Sequence, residues 1–125
     1  MEIIVAGSRD FNDYELLEKI LNEYIGNEKD VTIISGTARG ADRLGEAYAK
    51  NNGYKLNLFP AEWNVYGKSA GYKRNVLMSE HASDCVVFWD GISKGTKHMI
   101  DIIKANNEFP NKHINLKVVN YTQLL

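Results

Sequence analysis

The stretch Val31-Thr32-Ile33-Ile34-Ser35-Gly36-Thr37-Ala38-Arg39-Gly40-Ala41-Asp42 decides the fold. A short β-branched run ends in a glycine-bearing turn, and the chain passes straight into residues spaced as a helix: Ala41, Leu44, Ala47 and Tyr48. The same order of strand, turn and helix recurs twice. Ile3-Ile4-Val5-Ala6 runs into Gly7-Ser8-Arg9, and Val86-Val87-Phe88-Trp89 runs into Asp90-Gly91-Ile92-Ser93-Lys94-Gly95-Thr96. In an open parallel α/β sheet such turns all lie at the carboxyl edge of the strands, where ligands bind. Glycine lets backbone approach a ligand closely, and each helix start offers free N–H groups and a positive dipole end to an anion. One such turn is ordinary loop punctuation; three together predict a pocket for a phosphorylated molecule.

Five apolar runs read as strands, at residues 3–6, 31–34, 55–59, 85–89 and 115–119. The first, second and fourth are nearly continuous in β-branched and large apolar residues, as strands covered on both faces are. Helical spacing follows each of the first four. Leu16, Leu17, Ile20, Leu21, Tyr24 and Ile25 repeat behind an N-cap at Asn12 or Asp13, and a second helix runs from about 41 to 51, ending near Gly53. Two more are expected over about 69–82 and 95–106, and Pro110 is expected to close the loop before the last strand. Strict alternation of strand and helix gives a three-layer α/β domain, Rossmann-like, with a mostly parallel sheet of about five strands and helices on both faces. No repeat or linker interrupts it, so residues 1–125 read as a single domain.

Composition sets outer limits. The chain has 125 residues, 44% of them hydrophobic and 25% charged, enough to bury a core unaided. Fifteen basic and sixteen acidic side chains leave a formal net charge of −1, so no bulk attraction draws it to nucleic acid or an anionic membrane. Cys85 is the only cysteine, which excludes an intrachain disulfide and suits a reducing cytoplasm. Met1-Glu2 leads directly into a strand, leaving no room for a signal peptide, and the longest apolar run is far too short to span a bilayer. A cytoplasmic location without membrane contact is expected.

The turns supply the candidate ligand-binding residues. Gly7, Ser8 and Arg9 put backbone N–H groups, a hydroxyl and a guanidinium at the tip of the first strand, where arginine suits a bidentate grip on phosphate or carboxylate. The alternative is a solvated loop in which Asp10 pairs with Arg9. Ser35, Gly36, Thr37, Ala38, Arg39 and Gly40 pack small residues around a helix start. Asp42 falls in its first turn, either accepting a sugar hydroxyl or holding Arg39. Asp90, Gly91, Ser93, Gly95 and Thr96 repeat this chemistry after the fourth strand. Neither the dinucleotide fingerprint nor the Gly-Lys-Ser/Thr ending of a P-loop is present, so an NAD-type enzyme and ATP hydrolysis are not indicated.

Between the third strand and third helix, Pro60-Ala61-Glu62-Trp63 precedes Gly67-Lys68-Ser69-Ala70-Gly71-Tyr72-Lys73-Arg74-Asn75. Trp63 can stack on a base, and Lys68 and Arg74, with Asn75 beside it, can meet a phosphate; the same loop also reads as a lid packed by Trp63 and Tyr66. His81, His98 and His113 lack metal-ligand spacing, and neither a metal nor a cofactor is expected. Cys85 reads as an inert core thiol and Trp89 as core.

Taken together, these motifs resemble the SLOG superfamily of Rossmann-like nucleotide-binding proteins, in particular its small stand-alone YspA/YpsA-related branch. The resemblance spans almost the whole chain. It rests on Gly7-Ser8-Arg9-Asp10-Phe11, Ser35 through Asp42, Pro60-Ala61-Glu62-Trp63, Gly71-Tyr72-Lys73-Arg74-Asn75 with Met78, and Trp89-Asp90-Gly91 through Gly95-Thr96. It implies a nucleotide or nucleotide-derived signal bound at the carboxyl edge of the sheet, by a sensor or sequestering protein, and a homo-oligomer, since relatives commonly pair through helices.

Two other relatives imply alternatives. Lonely Guy phosphoribohydrolases cut the N-glycosidic bond of nucleoside monophosphates with an arginine, matched here by Arg74, and a glutamate after a Gly-Thr helix start. Met99 stands in the glutamate's place. The resemblance therefore favours binding over hydrolysis unless Glu62 or Asp90 substitutes beside Arg74 as catalytic groups. The DNA-processing protein A family implies single-stranded DNA binding along an edge lined by Arg9, Arg39, Lys68, Lys73 and Arg74; the near-neutral charge ranks this below a small nucleotide.

Overall fold

The computed structural model describes residues 1–109 and 112–123. Its five strands are β1 (Glu2–Gly7), β2 (Thr32–Ser35), β3 (Lys55–Leu58), β4 (Asp84–Trp89) and β5 (Asn115–Asn120). They form one sheet in the order β3-β2-β1-β4-β5, every neighbouring pair parallel. The three runs richest in apolar residues thus occupy the three inner positions, β2, β1 and β4. The edge strands β3 and β5 are largely exposed, as strands with fewer neighbours can be.

Four long helices cover the sheet: α1 (Tyr14–Ile25), α2 (Ala41–Asn52), α4 (Ala70–His81) and α5 (Lys94–Asn107). Asp13 caps α1, its Oδ1 accepting from the Leu16 N–H at 3.0 Å. Gly53 closes α2 in the left-handed conformation. Helices α1 and α2 pack one face through Leu17, Leu21, Ile25 and Tyr48 against Ile3, Val5, Ile33 and Phe88. Helices α4 and α5 pack the other through Met78, Met99, Ile100 and Ile103 against Ile4, Ile34, Cys85 and Val87. The three-layer α/β expectation holds.

One element escaped the sequence pattern. The segment read as a lid loop forms a one-turn helix, α3 (Trp63–Tyr66), followed by a tight 3-10 turn at Gly67–Ser69. All four α3 residues are exposed, so no apolar periodicity marks them. Pro110 lies outside the described residues. Cys85 is fully buried, and burial pushes its thiol up, consistent with an inert core residue. Trp89 packs against the second core cluster and donates its indole N–H to the Ser93 carbonyl at 3.1 Å. Among the described residues no helix is long and apolar enough to cross a membrane.

Strand order positions the site. The chain leaves β1 toward α1 on one face and leaves β4 toward α5 on the other, so the turns after these adjacent strands diverge. A crevice opens between them at the carboxyl edge, the topological switch point where ligands of such sheets bind.

Candidate functional site

Ser8 ties the three turns together. It is 1% exposed, and its backbone N–H donates to Phe88 O at 2.9 Å while its carbonyl accepts from the Phe11 and Ala41 N–H groups at 3.1 and 3.4 Å. Its hydroxyl oxygen accepts from the Asp90 N–H at 3.1 Å and lies 3.2 Å from Ser93 Oγ. The β1, β2 and β4 turns therefore hold one shape through one residue. Gly40 permits this closeness: its φ is +86°, and a Cβ there would strike the Ser8 and Arg9 carbonyls.

The β2 turn is strained. Thr37 has φ +63°, the only non-glycine residue with positive φ among those described. For a β-branched residue this costs about 1 to 3 kcal/mol. Surrounding groups hold it there. The Thr37 N–H donates to Ser35 Oγ at 3.0 Å, Arg43 Nε donates to the Thr37 carbonyl at 3.1 Å, and the Ala38 N–H donates to Asp42 Oδ2 at 3.1 Å. From across the crevice, Arg74 Nη1 donates to the Gly36 carbonyl at 2.6 Å. Two of the turn's N–H groups, those of Thr37 and Ala38, are thus already engaged.

Asp42 and Arg74 face each other across Gly36. A Cβ on Gly36 would lie 2.8 Å from Asp42 Oδ2 and 2.9 Å from Arg74 Nη1, so only glycine leaves the two room. Asp42 is 5% exposed. Burial pushes its carboxyl up to about 6, although the Ala38 N–H and the charge of Arg74 pull it down. Burial likewise lowers Arg74, against the attraction of Asp42 and with the repulsion of Arg9; the guanidinium stays cationic near neutrality. The two attract without direct ion-pair contact; among the described residues only Arg39–Asp10 and Lys97–Asp101 make such pairs. Asp10 pairs with Arg39 at 3.4 Å, not with Arg9, and both side chains are exposed.

A side-chain chain behind Arg74 was not visible in the sequence. Arg74 Nε donates to Asn75 Oδ1 at 3.1 Å, and Asn75 Nδ2 reaches the Gly95 carbonyl at 3.3 Å and His98 Nδ1 at 3.2 Å. With both amide protons used, His98 accepts through Nδ1, which requires the neutral ring. Burial lowers His98 in the same sense, opposed by Asp101. Tyr72 packs against this ring at a tilt, centroids 4.4 Å apart and planes 42° from parallel.

The third turn leaves a helix end open. The Asp90 carboxylate accepts from the Ile92 and Ser93 N–H groups at 2.9 and 2.7 Å and from Ser93 Oγ at 2.7 Å. Burial opposes its ionisation, but these hydrogen bonds, with one from Ser8, win and hold the carboxyl below its usual range. Ser93 is the N-cap of α5, yet its hydroxyl is spent on Asp90 and Ser8, and α5 has no side-chain cap. The first N–H groups of α5, on Lys94, Gly95 and Thr96, are left to whatever lies before them.

What lies before them is a cavity of about 450 Å³. From the first turn Gly7, Ser8 and Arg9 line it; from the second, Ala38, Arg39 and Asp42; from the third, Ser93, Gly95 and Thr96. Trp63, Lys68, Arg74 and Asn75 form the far wall. A second cavity of about 380 Å³ takes in Gly36 and Thr37. Ser35, Gly40, Glu62, Asp90 and Gly91 line neither. The first two and Asp90 hold the turns in shape, Gly91 turns the chain at φ +88°, and Glu62 is exposed at the start of α3. Lys94, Tyr72, Met78 and Met99 line the first cavity as well. Among the described residues no three His, Cys, Asp or Glu side chains group as they would around a metal ion.

A model of the YspA, cpYpsA-related SLOG family (YAcAr) matches residues 1–66, which carry β1 through α3 and the first two turns. The chain belongs to this SLOG family. Gene 61 protein of Mycobacterium phage D29 is 30% identical over 103 residues, covering 77% of this chain and 82% of that protein. No solved structure matches the chain. In this SLOG protein Arg74, Asn75 and the α5 helix start lie beyond the stretch the family model matches. They meet the matched part at the crevice, through the hydrogen bonds to Gly36 and Ser8.

Proposed function

We propose that the protein binds a phosphorylated nucleotide, or a signal derived from one, without turning it over. The observation that carries this reading is the charge of the first cavity. Arg9, Arg39, Lys68, Arg74 and Lys94 line it against two carboxylates, Asp10 and Asp42, in a chain whose net charge is −1. The uncapped start of α5 opens into the same space, so an anion there gains N–H donors and a dipole end as well as cations. Arg74 can offer its guanidinium without rearranging, because Asn75 and Gly36 already fix it. Trp63, Tyr72, Met78 and Met99 give an apolar wall suited to a base, and Asp42 sits where a sugar hydroxyl could donate.

Hydrolysis of a nucleoside monophosphate finds less support. Met99 is at the cavity wall, and neither Glu62 nor Asp90 lines it. A single-stranded DNA site is favoured by a groove that tracks a backbone, whereas these cations gather around one half-open crevice. The homo-oligomer and the cytoplasmic location rest on the resemblance and the composition alone.

Thermal unfolding with AMP, ADP and NAD, for wild type and Arg74→Ala, tests the reading. A ligand at about a hundred times its dissociation constant adds nearly 3 kcal/mol of stability, a shift of several degrees for a domain this size. A shift that Arg74→Ala abolishes, with the nucleotide recovered unchanged, is expected. No shift from any of them, or cleavage of the one that binds, rejects it.

A further inference from the structure

The two cavities share a wall. Arg9, Ala38, Arg39, Trp63 and Arg74 line both. Three of these five residues are arginines, so the junction is strongly positive, and Lys68 and Lys94 extend that charge into the first chamber only. What each chamber adds of its own differs. The first adds Tyr72, Met78 and Met99, with Lys68, Lys94, Asp10 and Asp42. The second adds only Gly36, Thr37, Pro60 and Ala61, none of them charged. A second anionic group would find no partner there beyond the arginines it shares with the first; a sugar or base would. The Thr37 hydroxyl has no hydrogen-bond partner among the described residues, and it supplies a polar handle. The chambers are also similar in size, about 450 and 380 Å³.

We infer that the ligand is two-armed: a diphosphate esterified at both ends, with a nucleoside in the first chamber and a second nucleoside or sugar in the other. The inference rests on the nucleotide reading above and adds to it the substitution pattern of the phosphate. A terminal phosphate needs only the first chamber and the α5 start. A bridging diphosphate also uses the arginine wall, which neutralises its charge from both sides and lets the second arm leave past Trp63. The strained turn at Thr37 then has a purpose, since it forms the floor of the second chamber and is held open by Arg43 and Arg74.

The test compares ADP with diadenosine diphosphate, which keeps the diphosphate and adds the second arm, by isothermal calorimetry on the whole chain. Wild type is expected to bind the two-armed compound at least about tenfold more tightly, a difference of about 1.4 kcal/mol. Ala61→Trp, which fills the second chamber, should remove that advantage and leave ADP affinity unchanged. Should Ala61→Trp unfold, Ala61→Leu fills less of the space and should remove part of it. Equal affinity for the two compounds in wild type overturns the two-armed ligand while leaving a nucleotide site standing. So does a variant that weakens both alike. Binding of neither compound overturns the two-armed ligand, and the nucleotide reading then stands or falls on the AMP and NAD arms of the thermal test.

Discussion

The two faces of the sheet are built differently. On one, α1 and α2 direct Leu17, Leu21, Ile25 and Tyr48 inward, and none of the large exposed apolar side chains belongs to either helix. On the other, α4 sends Ala70 and Met78 inward but leaves Tyr72, Val76 and Leu77 between 42 and 49% exposed. It also turns Arg74 and Asn75 toward the crevice. The first face is a conventional amphipathic packing that buys stability. The second gives up part of that packing to hold a polar network and the wall of a cavity. The second face thus carries the far wall of the crevice, while α2 on the first face brings only its first turn, with Asp42, to the same space.

Substitutions on the two faces should separate accordingly. Leu17→Ala, at a fully buried site on the first face, is expected to cost roughly 3 kcal/mol of stability. Ligand affinity measured well below the melting temperature should not change. A drop in affinity comparable to that of Arg74→Ala would mean the faces are coupled.

At the crevice itself, Asp42 should leave a pH signature. Its carboxyl moves from an ordinary 3.8 to about 6 on folding, so the folded state disfavours the charged form. The cost is complete above pH 6 and relieved as pH falls toward 4. Wild type should then gain about 2 kcal/mol relative to Asp42→Asn between pH 7.5 and 4.5. Denaturant unfolding at the two pH values measures this, and a constant difference between the two proteins would contradict it.

The smallest effect belongs to His98. Its value is lowered on folding, so its contribution is present above the unfolded value and lost as pH falls through the folded one. Removing a single neutral hydrogen bond in His98→Gln should cost about 1 kcal/mol or less. The informative readout is the Arg74 Nε–H resonance. It should shift on acidification at the pH where His98 titrates in wild type, and should not do so in the variant. An unchanged titration would leave His98 no role in positioning Arg74.

Most of the fold was legible because its signals are local. Each predicted strand falls within about one residue of the structure, since continuous apolar runs such as Ile3 to Ala6 have few other fates. The exposed α3 turn gave no such signal. The site was legible by composition, through glycine turns and arginines, but less so by role. Ser8 and Asp90 look like ligand groups in one dimension, and their hydroxyl and carboxylate are used to tie turns together. Nothing local distinguishes a serine that meets a phosphate from one that meets the β4 turn 82 residues away. The Arg74–Asn75–His98 chain was hidden for the same reason: its members come from two helices that are adjacent only after β4 has been laid beside β1.

That adjacency has a consequence for how the molecule is made. Of these five strands the first to be synthesised is the central one, and one of its two hydrogen-bonding edges stays bare until residues 84–89 arrive. Until then Ile3, Ile4 and Val5 offer an apolar, unpaired edge of the kind that aggregates or recruits chaperones. The crevice does not exist during that interval, because its lining runs from Ala6 to Met99. A ligand bound there, as proposed, would stabilise only chains whose synthesis has passed that point.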